Sequence, residues 1–182
     1  MIIIRLAAIC ALLASVVTCG QLEASRYFNF GVRYFNEEKF DAAIRSFEKA
    51  ATVRVDPAIV YNLALSHLAA LRELSNQSKE TNLSPEQIAP ALAAVTSAQE
   101  LPNPEEEMLA KLGYIEGEIY ALAGSSEAAH SAFAKSLSAD PDFPPTLKAQ
   151  LKLDSKSETE LAKLVLATAD VEELEPEEKL SP

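Results

Sequence analysis

The sequence predicts an all-α protein on two observations. Glycine is scarce at five of 182 residues and Trp is absent, against a plentiful supply of Ala, Leu and Glu. A sheet protein needs more glycine in its turns, and these abundant residues are strong helix formers. The second observation is a recurrence of small and aromatic residues at fixed offsets in two distant places, which marks a repeated helical unit. With 48% hydrophobic residues the chain has enough apolar material for one core of ordinary size, so one structural domain is expected.

Residues 1–18 read MIIIRLAAICALLASVVT, with Arg5 ahead of an apolar run from Leu6 to Val17. That run is about a dozen residues, short of the roughly 20 a membrane-spanning helix needs, and it predicts a secretory signal peptide. Val16-Val17-Thr18-Cys19 resembles the lipobox of bacterial lipoproteins, which implies Cys19 as the lipidated first residue of the mature chain. Thr18 departs from that pattern, which prefers Gly, Ala or Ser there. The alternative is cleavage by an ordinary signal peptidase nearby, for instance after Gly20. Either route removes Cys10, so no internal disulfide is expected, and either places the mature chain in the cell envelope or periplasm.

The repeat starts at two glycines. From Gly31, Tyr34 follows after three residues, Ala43 after twelve, Phe47 after sixteen and Ala50 after nineteen. From Gly117 the same offsets reach Tyr120, Ala129, Phe133 and Ser136. The spacing predicts two antiparallel helices crossing closely, Gly31 facing Ala43 and Gly117 facing Ala129, where larger side chains would force the axes apart. Asp56-Pro57 and Asp140-Pro141 close these units. The pattern resembles the tetratricopeptide repeat (TPR), a helix-turn-helix unit of 34 residues.

A middle repeat opens with Val60-Tyr61-Asn62-Leu63-Ala64, His67 taking the aromatic slot. Its second helix, carrying Ala91, Val95 and Ala98, comes fifteen residues late. The polar stretch Glu73 to Asn82 is read as the insert, and Ser84-Pro85-Glu86-Gln87 as the next helix start, Ser84 being the N-cap. The expected layout is a linker over 19–23 and a repeat domain over 24–168. Its repeats cover about 24–56, about 57–104 with a loop insert at about 72–84, and 105–143; one or two capping helices follow over 144–168. Acidic Glu105-Glu106-Glu107 suits the N-terminus of the third repeat's first helix. Leu147, Leu151, Leu161, Leu164 and Leu166 are the apolar groups expected to cover the open end of the stack, as repeat arrays require. Residues 169–182, with Asp170, Glu172, Glu173, Glu175, Glu177 and Glu178 against Lys179, are expected to be an acidic disordered tail.

A formal charge of −11 and a pI near 4.7 argue against nucleic acid as a partner, since its backbone selects clustered Lys and Arg. His67 and His130 lack companions at metal-site spacing, and no phosphate loop, nucleophile elbow or HExxH-type motif is present. Neither catalysis nor a cofactor is expected. Asn76-Gln77-Ser78 and Asn82-Leu83-Ser84 match glycosylation sequons, read as chance matches in a polar loop.

The resemblance implies that the first helices of the repeats line a concave groove for a peptide or helix of another protein. Here the candidate groove residues are Phe28, Val32, Phe35, Tyr61, Asn62, Leu65, Leu68, Lys111, Tyr114 and Glu118. Chaperone-binding members hold a C-terminal carboxylate with basic and Asn side chains. Only Asn62 and Lys111 fit that pattern, whereas Phe28, Val32 and Ile115 occupy the other slots, so an apolar groove is expected instead. The functional expectation is a non-catalytic scaffold or adaptor, held at the membrane by a lipid on Cys19. The alternatives are an accessory subunit of an envelope, secretion or pilus assembly, and a structural lipoprotein whose groove is covered by its own C-terminal helices.

Overall fold

A computed structural model describes residues 20–78 and 82–172; for residue 157 and residues 160–172 the backbone alone is described. Seven helices and no strand occur among the described residues. They are α1 over 20–36, α2 Phe40–Val53, α3 Pro57–Gln77, α4 Pro85–Gln99, α5 Glu106–Leu122, α6 Ser126–Ala139 and α7 Pro144–Glu172. Residues 1–18, expected to be a signal peptide, Cys19 and residues 173–182 lie outside the described residues. No described helix is long and apolar enough to cross a membrane.

Helix starts follow the local chemistry. The Asp56 carboxylate accepts the Ala58 N–H at 3.0 Å ahead of Pro57, so one otherwise orphaned donor is satisfied and Pro occupies the position that lacks one anyway. At α4, Ser84 N–H donates to Gln87 Oε1 at 2.7 Å, the reciprocal half of a capping box. α5 begins behind Glu105 with Glu106 and Glu107 in its first turn, where the helix dipole favours negative charge.

Among α2–α7, every helix packs only on helices one or two places away in the chain. The apolar core runs through α3, α4 and α5, with Ala64, Leu68, Ala98, Leu112 and Ile119 all buried. Ala91, Val95 and Ala98 are buried on α4, as the delayed offsets require. Ala43 and Ala129 are fully buried too, but the glycines meet a different neighbour from the one the spacing suggests. A Cβ on Gly31 would lie 2.6 Å from Phe47 Cε1, and one on Gly117 would overlap the Phe133 ring. The space left by each glycine is filled by the aromatic sixteen residues on. A third close approach puts Gly113 against the backbone of Ser136, 2.8 Å from a Cβ position to its nitrogen. Ser136 is buried and donates to Ala110 O at 2.7 Å, so Thr146, 2.7 Å away, supplies the proton of the second bond. These two bonds tie α6 to α5 and α7.

Two expectations about boundaries are corrected. The loop insert does not begin at about residue 72, because α3 continues to Gln77. Leu71 is buried, Arg72 is anchored on α5, and Gln77 bonds Glu73 one turn back at 2.9 Å, so the first half of the polar stretch, to Gln77, is helical on contacts that period counting did not anticipate. The connection is short, and Leu83 plugs into the core with its N–H on Leu122 O at 2.9 Å. The C-terminal segment, expected as one or two helices, is the single helix α7. It buries Thr146 and Leu153 against α5 and α6, whereas Leu147 and Leu151 are 41% and 72% exposed. Those two leucines therefore do not form the cap, and the side chains of Leu161, Leu164 and Leu166 lie outside the described residues. Residues 169–172, expected in the acidic tail, are in α7.

Removing α7 uncovers Phe133, Ala129 and Tyr114, which pack with Leu153 and Ala149. Re-exposing Leu153 alone costs about 1.5–3 kcal/mol, a large fraction of a small domain's stability. A chain ending before Pro144 is expected to melt lower or aggregate, and one lacking only 173–182 to behave as the full chain. Thermal melts with light scattering check both.

Candidate functional site

The candidate groove residues lie on α1, α3 and α5, and some of them gather in three small groups. At one end Phe28 of α1 is half-buried, its ring 5.6 Å from that of Phe47. It borders a 130 Å3 pocket completed by Ala24, Arg54, Ala58 and Ile59. Ala58 also borders the next pocket, 180 Å3, formed by Pro57, Tyr61, Met108 and Lys111 with Glu105 and Glu107 at its edge. Lys111 Nζ stands 5.8 Å from the Tyr61 ring and 2.5 Å from Glu107. The Glu107 hydrogen bond pushes the Lys111 ammonium above its ordinary value, and burial pushes the Tyr61 phenol up. Both groups keep their neutral-pH forms, a cation over an aromatic ring beside apolar walls.

The third group is polar, and its organiser is a residue that sequence reasoning assigned to the loop. Arg72 Nη2 donates to Glu118 Oε2 at 2.5 Å and to Tyr114 Oη at 3.0 Å, bridging α3 to α5 across the face. Half-burial raises the cost of leaving either charge unpaired. Tyr114 is also packed by Phe133 and, edge-on, by Phe143 at 6.2 Å between centroids, so the segment leading into α7 covers this end of the face. The remaining candidates are less available. Leu68 is fully buried in the core and lines no groove; Leu65 packs against the same core. Asn62 Nδ2 donates to Ala58 O on its own helix at 2.7 Å, and Ile115 is buried. Val32 and Phe35 are half-buried, Phe35 meeting Phe40 edge-on at 5.5 Å.

A second concavity lies between α2 and α4, which do not pack on each other. It has a volume of about 770 Å3, with Phe40, Ile44, His67, Leu71, Leu74 and Pro90 among its lining residues. The two extra turns of α3 produce it: they overhang the start of α2, leaving Leu74 37% exposed. Sequence reasoning missed the cleft because it ended α3 too early. The available signal was the pair Leu71 and Leu74 at helical spacing. His67 packs into the wall of this cleft; His130, on α6, lies 3.4 Å from Asp154 of α7. Among the described residues, no group of three or more His, Cys, Asp or Glu is placed to hold a metal ion.

No family model, curated protein or solved structure matches the chain.

Burial holds the His67 imidazole below its ordinary value of 6.5, against the opposing pull of Glu48 and Asp41. The unfolded chain therefore takes up a proton at higher pH than the folded one, and stability falls as pH drops below about 6.5 until the folded pKa is passed. His67→Phe is expected to flatten the melting-temperature profile between pH 7 and 5. Melts across that range check it, and equal slopes for both proteins would assign the titration elsewhere.

Proposed function

We propose that the chain is a non-catalytic protein-binding module, a short stack of tetratricopeptide-like hairpins exported to the cell envelope and held there through its N-terminus. The neighbour-only packing of α2–α7 and the two glycine–phenylalanine crossings support the repeat reading. The apolar run ahead of Cys19 supports the address. The observation that carries the binding reading is the pair of adjoining pockets from Phe28 through Ala58 to Tyr61 and Lys111. They make a row of aromatic and apolar walls with two cations, Arg54 and Lys111, each paired to a carboxylate, suited to apolar anchors on an amphipathic helix or extended peptide. Beyond this row the Arg72–Glu118 bridge and Phe143 interrupt the apolar face, so the ligand is short, reading the end nearest Phe28. An accessory subunit of an envelope assembly would use the same row.

The test places a photocrosslinking phenylalanine analogue at Tyr61 and, as a control, at exposed Ser131 on α6. Crosslinking in intact cells is expected from Tyr61 to one discrete partner and not from Ser131. Lys111→Glu should weaken capture of that partner by about tenfold or more without shifting the melt, since reversing a charge beside a hot-spot ring disfavours the partner that matches it. Equal labelling from both positions, or capture unaffected by Lys111→Glu, overturns the reading.

A further inference from the structure

A third surface is made by α1 and α2 alone. Tyr27, Phe30 and Tyr34 of α1 lie along a shallow groove of about 310 Å3, with Arg45 and Lys49 of α2 on the other side, and no residue of α3–α7 lines it. The three aromatics stand at i, i+3 and i+7, one stripe of a helix. Cations sit on their rings: Arg26 and Arg33 lie 5.5 and 5.4 Å from the Phe30 centroid, Arg33 5.1 Å from Tyr34, and Lys49 5.8 Å from Tyr27. No carboxylate lines the groove, in a chain whose net charge is −11. The nearest acid in ion-pair range is Glu37, which takes Arg33 at 3.7 Å and Lys39 at 2.8 Å. Arg26, Arg45 and Lys49 have no acidic partner within 4 Å among the described residues.

We infer that this aromatic and cationic face rests on a bilayer surface of anionic phospholipid headgroups. Half-buried aromatic rings with a polar rim suit the headgroup layer, where Tyr is favoured and long Arg and Lys side chains reach the phosphates. Basic residues near an anionic surface each strengthen binding, within a Debye length of it. Position selects lipid over an acidic protein as the occupant. Arg26 is seven residues after Cys19, about 10 Å along a helix at 1.5 Å per residue, so a chain held at the membrane by its N-terminus brings this face to the surface first. α1 and α2 then lie along the bilayer and the later helices stand away from it, leaving the Phe28–Tyr61–Lys111 row sideways and accessible. The inference rests on the proposed N-terminal attachment. That attachment is read separately, by whether the mass of the purified protein includes acyl chains that Cys19→Ser removes.

The chain has no Trp, so Phe30→Trp supplies a single reporter. The full chain carrying it is reconstituted into vesicles of phosphatidylcholine alone or with phosphatidylglycerol, some holding a headgroup-level quencher. Emission is expected to shift to the blue and be quenched only with phosphatidylglycerol, and to revert in 1 M salt. Arg45→Gln with Lys49→Gln should lower the ratio of docked to free face about thirtyfold, at roughly fivefold per basic residue, with the melt unchanged. Equal quenching in both vesicle types, quenching in neither, or insensitivity to the double substitution overturns the proposal. A concentration-dependent shift in detergent without vesicles does so as well, assigning the face to a second copy of the chain.

Discussion

The seating of a phenylalanine ring on a glycine sets the distance between helices in the first and third hairpins. Phe47 on Gly31 and Phe133 on Gly117 are both fully buried rings on positions where even one extra carbon has no room. Interiors packed to crystal density transmit such a constraint rather than absorbing it. With α5 and α6 drawn together, Ser136 reaches both Ala110 O and Thr146, and α7 docks over the crossing through Leu153. Tyr114 is fixed in the same step, stacked on Phe133 and bonded to Arg72. The candidate binding face is thus positioned by the core contact beneath it.

The middle hairpin reaches a similar packing with other volumes. Ala64 stands where the others have Gly, and Val95 where they have Phe, both in one core cluster. A methyl group on one helix is matched by a smaller side chain on the other, the compensation that packed cores tolerate best. Its greater length has a different consequence. The added turns of α3 project past α2 and lean toward the third hairpin, where Leu83 bonds Leu122 and Asn82 fills the space over Gly124. The first hairpin gains no such cover, and the cleft holding His67 opens on that side.

What was legible in the sequence was the part set by local rules. The all-helical class, the start of α4 at Ser84, the boundary between the first two hairpins at Asp56-Pro57 and the buried Ala43, Ala129, Ala91 and Ala98 follow from caps and from offsets counted along the chain. What was not legible depended on partners distant in sequence. Arg72 and Leu71 extend α3 because α5 supplies Glu118 and Tyr114 and the core has room for a leucine. Polar composition between Glu73 and Asn82 carried no sign of that support. Leu68 was a groove candidate through the resemblance to the repeat family, yet α3 is surrounded by α2, α4 and α5, so little of its circumference remains free. The glycines were correctly identified as crossing points but matched with alanine, since a repeat offset shows which positions are constrained and not which atoms touch.

The central claim is that a ring on a glycine fixes the crossing, and a double-mutant cycle of Gly117→Ala with Phe133→Leu tests it most directly. Within a helix, Gly to Ala ordinarily stabilises by about 1 kcal/mol. With the Phe133 ring in place the substitution is expected to destabilise instead, and in the Phe133→Leu background to be neutral or stabilising. The coupling between the two should exceed about 1 kcal/mol by chemical denaturation. Additivity within about 0.5 kcal/mol, or a stabilising Gly117→Ala in the parent chain, would contradict the account.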